Sequence, residues 1–192
     1  MKLGRETASI ILAFVMSVTL PSASRAQSGD WQPLRMDYRS SGGQPADPAD
    51  AAWAREIAAD AKASTVGLRR GLPVYSVRFA DGARVLVVTA ALQGPDACDY
   101  GPNSSSSTRD YAVCPGKLAV LEGGRLVSSR PVGMVCLESV NAGGEKRGNP
   151  TWKDPARWGT RARLDGGTGT IQMVTMQNGR AERACNQSIA VR

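Results

Sequence analysis

The residues of this 192-residue chain that could do chemistry fall into a few sets, and one familiar set is missing: there is no histidine. Without imidazole the chain cannot build a Ser-His-Asp or Cys-His centre, an HExxH zinc site or a histidine switch near neutral pH. An enzyme made from it would have to use carboxylates, a Ser-Lys pair, a thiolate or a bound cofactor. The signatures G-x-S-x-G, S-x-x-K and G-x-x-x-x-G-K-[ST] do not occur. Gly167-Thr168-Gly169 begins like a dinucleotide loop, but position 172 is Gln and the flanking residues suit a hairpin rather than a strand entering a helix.

Carboxylates remain. Asp99, Asp110 and Glu138 lie near cysteines, and two acids held together could act as general acid and base on a glycan. Solvation is the ordinary fate of such acids. Catalysis, as a His-free hydrolase of envelope material, is therefore the alternative reading; no catalytic residue, cofactor or metal is expected.

Two sets point to binding. Trp152, Lys153, Arg157, Trp158, Arg161 and Arg163 bring two indoles and four cations into twelve positions. Along a strand from Thr160 to Leu164, Arg161 and Arg163 would share a face. Cations beside indoles hold an anion by charge and a sugar or base ring by stacking. Tyr100, Asn103, Ser104 to Ser107, Arg109 and Tyr111 form a polar and aromatic loop set of the kind adaptable contacts use. Arg69-Arg70 is a weaker cationic spot. Asn103-Ser104-Ser105 and Asn186-Gln187-Ser188 match the N-glycan acceptor rule at chance level.

The cysteines set the compartment. Residues 1–26 have a basic start (Lys2, Arg5), an apolar stretch from Ala8 to Leu20, Pro21, and Ser24-Arg25-Ala26, the order of a secretion signal cut after Ala26. The apolar stretch is too short for a membrane anchor. Removing it lowers the formal charge from +7 to +5, by loss of three cations and one acid. All four cysteines remain, and an even number in an exported chain reads as two disulfides. Of three connectivities, Cys98 with Cys114 and Cys136 with Cys185 is preferred, since the first closes a polar loop and the second ties the middle of the chain to its end. No C-x-x-C exists to suggest a metal.

These sets need elements to hold them. Residues 27–46 read as an extended arm leading into a single domain, 47–192. Asp47 caps a helix with Pro48 at its first position, and Trp53, Ile57 and Ala61 form its apolar stripe. From Leu72 the apolar period becomes two. Val74 to Phe79 and Arg84 to Leu92 flank Asp81-Gly82 as a hairpin, with Phe79, Val77 and Tyr75 opposite Arg84, Leu86 and Val88. Lys117 to Leu121 and Arg125 to Ser129 form a second hairpin, followed by an apolar run, Val132 to Leu137. Thr160 to Leu164, Thr168 to Met176 and Arg180 to Val191 complete about seven short strands, while Asn141 to Trp158 reads as a long loop. The expected fold is α+β, with one N-terminal helix packed on an antiparallel meander or sandwich carrying two disulfides.

The resulting expectation is a periplasmic or secreted binding protein of inhibitor, immunity or envelope-assembly type. Its partner would be an envelope protein or an anionic glycan or lipid surface; nucleic acid is not expected. A purely structural envelope protein is the other alternative.

Overall fold

The computed structural model describes residues 29–37, 47–63, 71–93, 96–99, 111–138, 159–177 and 179–192. Among them the chain forms ten strands in two antiparallel sheets, with one helical segment and two disulfides. Residues 1–26, read above as a secretion signal, and residues 139–158, which include the long loop expected at Asn141 to Trp158, lie outside these residues.

The chain enters through two short strands, β1 (Gln32–Pro33) and β2 (Arg35–Asp37), which belong to different sheets. Four long strands follow the helix: β3 (Val74–Asp81), β4 (Arg84–Ala91), β5 (Tyr111–Glu122) and β6 (Arg125–Glu138). With β2 they make one sheet in the order β2-β3-β4-β5-β6. The other sheet has the order β1-β7-β8-β10, built from β7 (Gly159–Asp165), β8 (Thr170–Gln177) and β10 (Gln187–Ala190), with β9 (Arg180–Ala181) paired to β8. The stretch from 32 to 37 thus crosses between the sheets, and the Leu34 amide donates to the Thr160 carbonyl at the crossing.

Side-chain alternation then assigns the layers. Tyr75, Val77 and Phe79 of β3, Leu86, Val88 and Ala90 of β4, and Ala112, Cys114 and Leu118 of β5 face one core. Ala162, Ile171, Met173 and Ile189 of the other sheet meet them there. The opposite side of β4 is buried too, because Val87 and Ala91 pack under the helical segment with Ala49, Trp53 and Ile57. This explains the almost uninterrupted apolar run in β4, a strand covered on both faces.

The helical segment opens as a 3-10 turn, Pro48–Trp53, and continues as α1 (Ala54–Ala63). Asp47 caps it through the Ala49 amide, Asp50 returns the bond to the Asp47 amide, and Arg78 of β3 pairs with the Asp47 carboxylate. Trp53 is sealed, and its indole N–H donates to Thr89 Oγ1 of β4 at 2.8 Å. Above it, Lys117 Nζ lies 4.1 Å from the ring centroid, donating to the Ala52 carbonyl at 2.6 Å and Glu56 Oε1 at 3.0 Å. One lysine of β5 thereby holds ring, backbone and carboxylate of the helical segment on the sheet. Ala61, the third residue of the expected stripe, is only half-buried.

Several expectations are corrected. The first hairpin pairs Asp81 with Arg84, so Phe79 faces Leu86, Val77 faces Val88 and Tyr75 faces Ala90. The turn is centred one residue later than expected: Gly82, with φ of 63°, takes the first loop position, and Asp81 stays in the ladder, ion-paired to Arg84. Each side chain keeps its face because the register moves by two. The second hairpin turns on Gly123-Gly124, and its arms run far beyond the five residues expected, absorbing Tyr111 at one end and Val132 to Leu137 at the other. Arg180 to Val191 is not one strand; a 3-10 turn, Arg183–Cys185, interrupts it and carries Cys185.

β6 is an edge strand, and it is irregular. Val132 and Val127 are extra residues at two register shifts, opposite Gly116/Lys117 and Val120/Leu121. Bulges, Pro131 and the cations Arg125 and Arg130 are devices that discourage another strand from adding here. At the first bulge the strands approach so closely that a Cβ on Gly116 would lie 2.5 Å from a methyl of Val135.

Candidate functional site

The two disulfides join Cys98 to Cys114 and Cys136 to Cys185. The first closes the mouth of residues 99–113, and Asp99 and Val113 exchange both backbone hydrogen bonds beside it, at 2.8 and 2.9 Å. The second reaches from edge strand β6 to the turn before β10, joining the two sheets on the β6 side, where the Thr160 hydroxyl of β7 also donates to the Cys136 carbonyl. Arg130 of β6 reinforces that side by donating to the Ala190 carbonyl.

Tyr111, grouped with the loop surface by sequence, is instead the first residue of β5, buried against the Cys136–Cys185 bridge with Val113. Its aromatic ring belongs to the packing of the clip. Tyr100, Asn103, Arg109, Trp152, Lys153, Arg157 and Trp158 lie outside the described residues, as does Asp110. Of the three acids considered for catalysis, Asp99 is exposed at the loop mouth, and Glu138 is the last residue of β6, paired through its backbone with Tyr111.

Arg161 and Arg163 can be built from the strand upward. In β7 the residues Thr160 and Ala162 turn inward and are buried, so Arg161 and Arg163 stand on the outward face. The β7–β8 register sets Arg163 opposite Gln172 and Arg161 opposite Val174. On the other side β1 sets Pro33 opposite Arg161. None of these outward side chains joins a packed core.

The two arginines differ in how they are held. Arg163 is fixed on both sides: its guanidinium lies 4.9 Å from the Trp31 ring centroid, and its Nε donates to Gln172 Oε1 at 2.9 Å. Stacking and bonding leave the terminal N–H groups as its free donors. Arg161 is half-buried, and its Nε is a buried nitrogen with no hydrogen-bond partner. A buried N–H left unbonded costs about 1–3 kcal/mol. The residues are two apart on a strand, about 7 Å, where two like charges repel by about 0.6 kcal/mol in bulk water and several-fold more beside protein. An oxyanion between the two guanidinium ends would relieve the repulsion.

Asp165, at the end of β7, is the acid nearest in sequence. Its carboxyl is held below the usual range, first by the Thr168 hydroxyl and amide, then by the Gly167 amide and the positive charge of Arg163. It is engaged in the turn to β8, where its Oδ1 accepts from Gly167 and Thr168. Residues 159–192 hold five arginines, no lysine and only two acids, Asp165 and Glu182. The charge of this sheet is therefore carried by planar guanidinium forks, which match carboxylate and phosphate better than ammonium does.

Trp31 and Gln172 escaped the sequence reading. Trp31 lies some 130 residues before its partner Arg163, and only β1–β7 pairing brings them together. Gln172 was within reach, since a hairpin centred on residues 166–169 puts it across from Arg163. No protein-family model matches the chain, and neither a curated protein nor a solved structure matches it.

Proposed function

We propose that this chain is an exported, disulfide-stapled β protein of the periplasm or extracellular space that works by binding an anionic partner, with the outward face of β1, β7 and β8 as a contact surface. The observation that carries the reading is the pairing of a fixed cation, Arg163, with an adjacent arginine that has no hydrogen-bonded or ionic partner among the described residues. A structural ion pair would bring its own carboxylate; a binding site leaves that place to the ligand. Pre-fixing Arg163 lowers the ordering cost of association. The leader-like residues 1–26 and two buried disulfides support delivery to an oxidising compartment.

The residues between Cys98 and Cys114 are the second contact of this proposal, with Tyr100, Asn103 and Arg109 offered from a loop whose ends are pinned twice. Both surfaces would serve a protein of inhibitor, immunity or assembly type.

The test replaces Arg161 and Arg163 together by Gln and measures elution from immobilised heparin and lipopolysaccharide. The double variant should elute at lower salt with an unchanged melting temperature, because exposed charge contacts are screened by ions. Elution identical to that of the parent would reject this face as the binding surface.

A further inference from the structure

The outward face of the β1-β7-β8-β10 sheet carries neutral polar groups beside its two cations. In an antiparallel sheet residues directly opposite share a face. Ser188 pairs with Gln172, Gln172 with Arg163, and Trp31 lies over Arg163. Trp31, just before β1, therefore begins a row that continues through Arg163, Gln172 and Ser188 across β7, β8 and β10. With neighbouring strands spaced 4.7–4.9 Å, the row is about 14 Å long. Beside it a second row runs through Pro33, Arg161 and Val174.

We infer that this row is a track for an anionic polysaccharide, laid across the strands with its acidic groups on Arg161 and Arg163 and its hydroxyls on Gln172 and Ser188. The inference rests on the binding reading above and names its ligand. Chemical alternation is the argument. Arginine offers donors only, whereas an amide and a hydroxyl both donate and accept, as sugar hydroxyls require of a partner. A charged group followed by neutral two-way groups fits a ligand in which oxyanions and hydroxyls recur together.

Other anionic partners fit less well. An extended peptide recognised by its backbone adds along a sheet edge, not across the face. Single-stranded nucleic acid needs free aromatic faces for its bases, and the one aromatic ring in this row already has Arg163 stacked on it. A lipid surface is gripped by several protruding apolar side chains; this face offers one, Trp31, whereas the other exposed large apolar residues among those described, Val127 and Met134, stand on β6 in the other sheet.

The experiment uses the mature chain with both disulfides intact. Titration calorimetry compares galacturonic acid as monomer, trimer and hexamer, inorganic phosphate, and vesicles of phosphatidylglycerol. The hexamer should bind at least about tenfold tighter than the monomer, because each further contact becomes intramolecular. Arg161→Gln with Arg163→Gln should abolish that binding. Ser188→Glu, which puts a like charge at the far end of the row, should weaken the hexamer several-fold. Gln172→Ala, which releases Arg163, provides a second variant should Ser188→Glu disturb β10, and should also weaken the hexamer; a melting curve of each checks folding.

Monomer or phosphate binding as tightly as the hexamer would overturn the polysaccharide track while leaving an anion-binding face. Vesicles bound with the oligosaccharides ignored would overturn it in favour of a lipid surface. Absence of binding to every probe would remove both the track and the reading beneath it.

Discussion

Removing the Cys136–Cys185 bridge should cost more than removing Cys98–Cys114, and should loosen one identifiable side of the protein. The bridges close loops with sequence separations of 49 and 16. If a crosslink acts by reducing the entropy of the unfolded chain, these lengths correspond to about 4 and about 3 kcal/mol. Placement widens the gap. Cys98–Cys114 sits beside a backbone pair, Asp99 with Val113, that persists without it. Cys136–Cys185 joins two sheets whose nearby support is the Thr160 hydroxyl on the Cys136 carbonyl, Arg130 on the Ala190 carbonyl, and the packing of Tyr111 and Val113 with the bridge. Alanine pairs are the right replacement, because serine would leave hydroxyls buried at both ends. Urea unfolding of Cys136→Ala/Cys185→Ala should show a loss of about 4 kcal/mol or slightly more, a large share of the 5–15 typical of a domain. Amide exchange should accelerate first in 183–190, while β3 to β5 stay protected. A smaller loss than that of Cys98→Ala/Cys114→Ala, or uniform acceleration across both sheets, would refute the view that this bridge is the main tie between the sheets at β6.

Two further predictions concern local geometry. Gly116→Ala should cost about 1–3 kcal/mol in urea melts, because its Cβ would meet Val135 at 2.5 Å and Val132 at 3.0 Å, both β-branched and stiff; a melt equal to the parent's would mean the bulge yields freely. Asp165 has a folded pKa below its unfolded one, so its ionised form stabilises the turn to β8 above the ordinary carboxylate range, and this is lost as pH falls through the depressed value, below about pH 4. Carbon-detected NMR should place its titration under that of a free aspartate, and Asp165→Asn should flatten the acid limb of the stability curve.

Much of the architecture is legible from local chemistry. Turn residues announce the hairpins: Gly82 and the Gly123-Gly124 pair all take positive φ. The helical start is legible because Asp47, Pro48 and Asp50 each suit a separate need of a helix N-terminus. The cysteine pairing matches the spacing argument. What was hidden depends on distance along the chain or on local competition. Residues 27–46 read as an arm because two strands of two and three residues have no periodicity to show, yet 32–37 pair with strands in both sheets. The break at Arg183–Cys185 was hidden because the Glu182 side chain caps a turn inside a run that looks continuous. At the candidate site, the shared face of Arg161 and Arg163 follows from strand alternation, whereas the ring over Arg163 comes from the far end of the chain and could not be read from neighbours.

The crossing of residues 32–37 between the sheets has a consequence for assembly. Gln32 pairs with Ala162, and Met36 pairs with Tyr75. The stretch that a ribosome makes early is therefore among the last to find its place, since half of its partners do not exist until residue 162 has emerged. Contacts this remote in sequence slow folding, because a large loop must close before they form. A partly made chain has all the strands of the sheet β2 to β6, but it cannot bring the second layer down over it. The second layer therefore waits for residues 159–190, which carry β7 to β10.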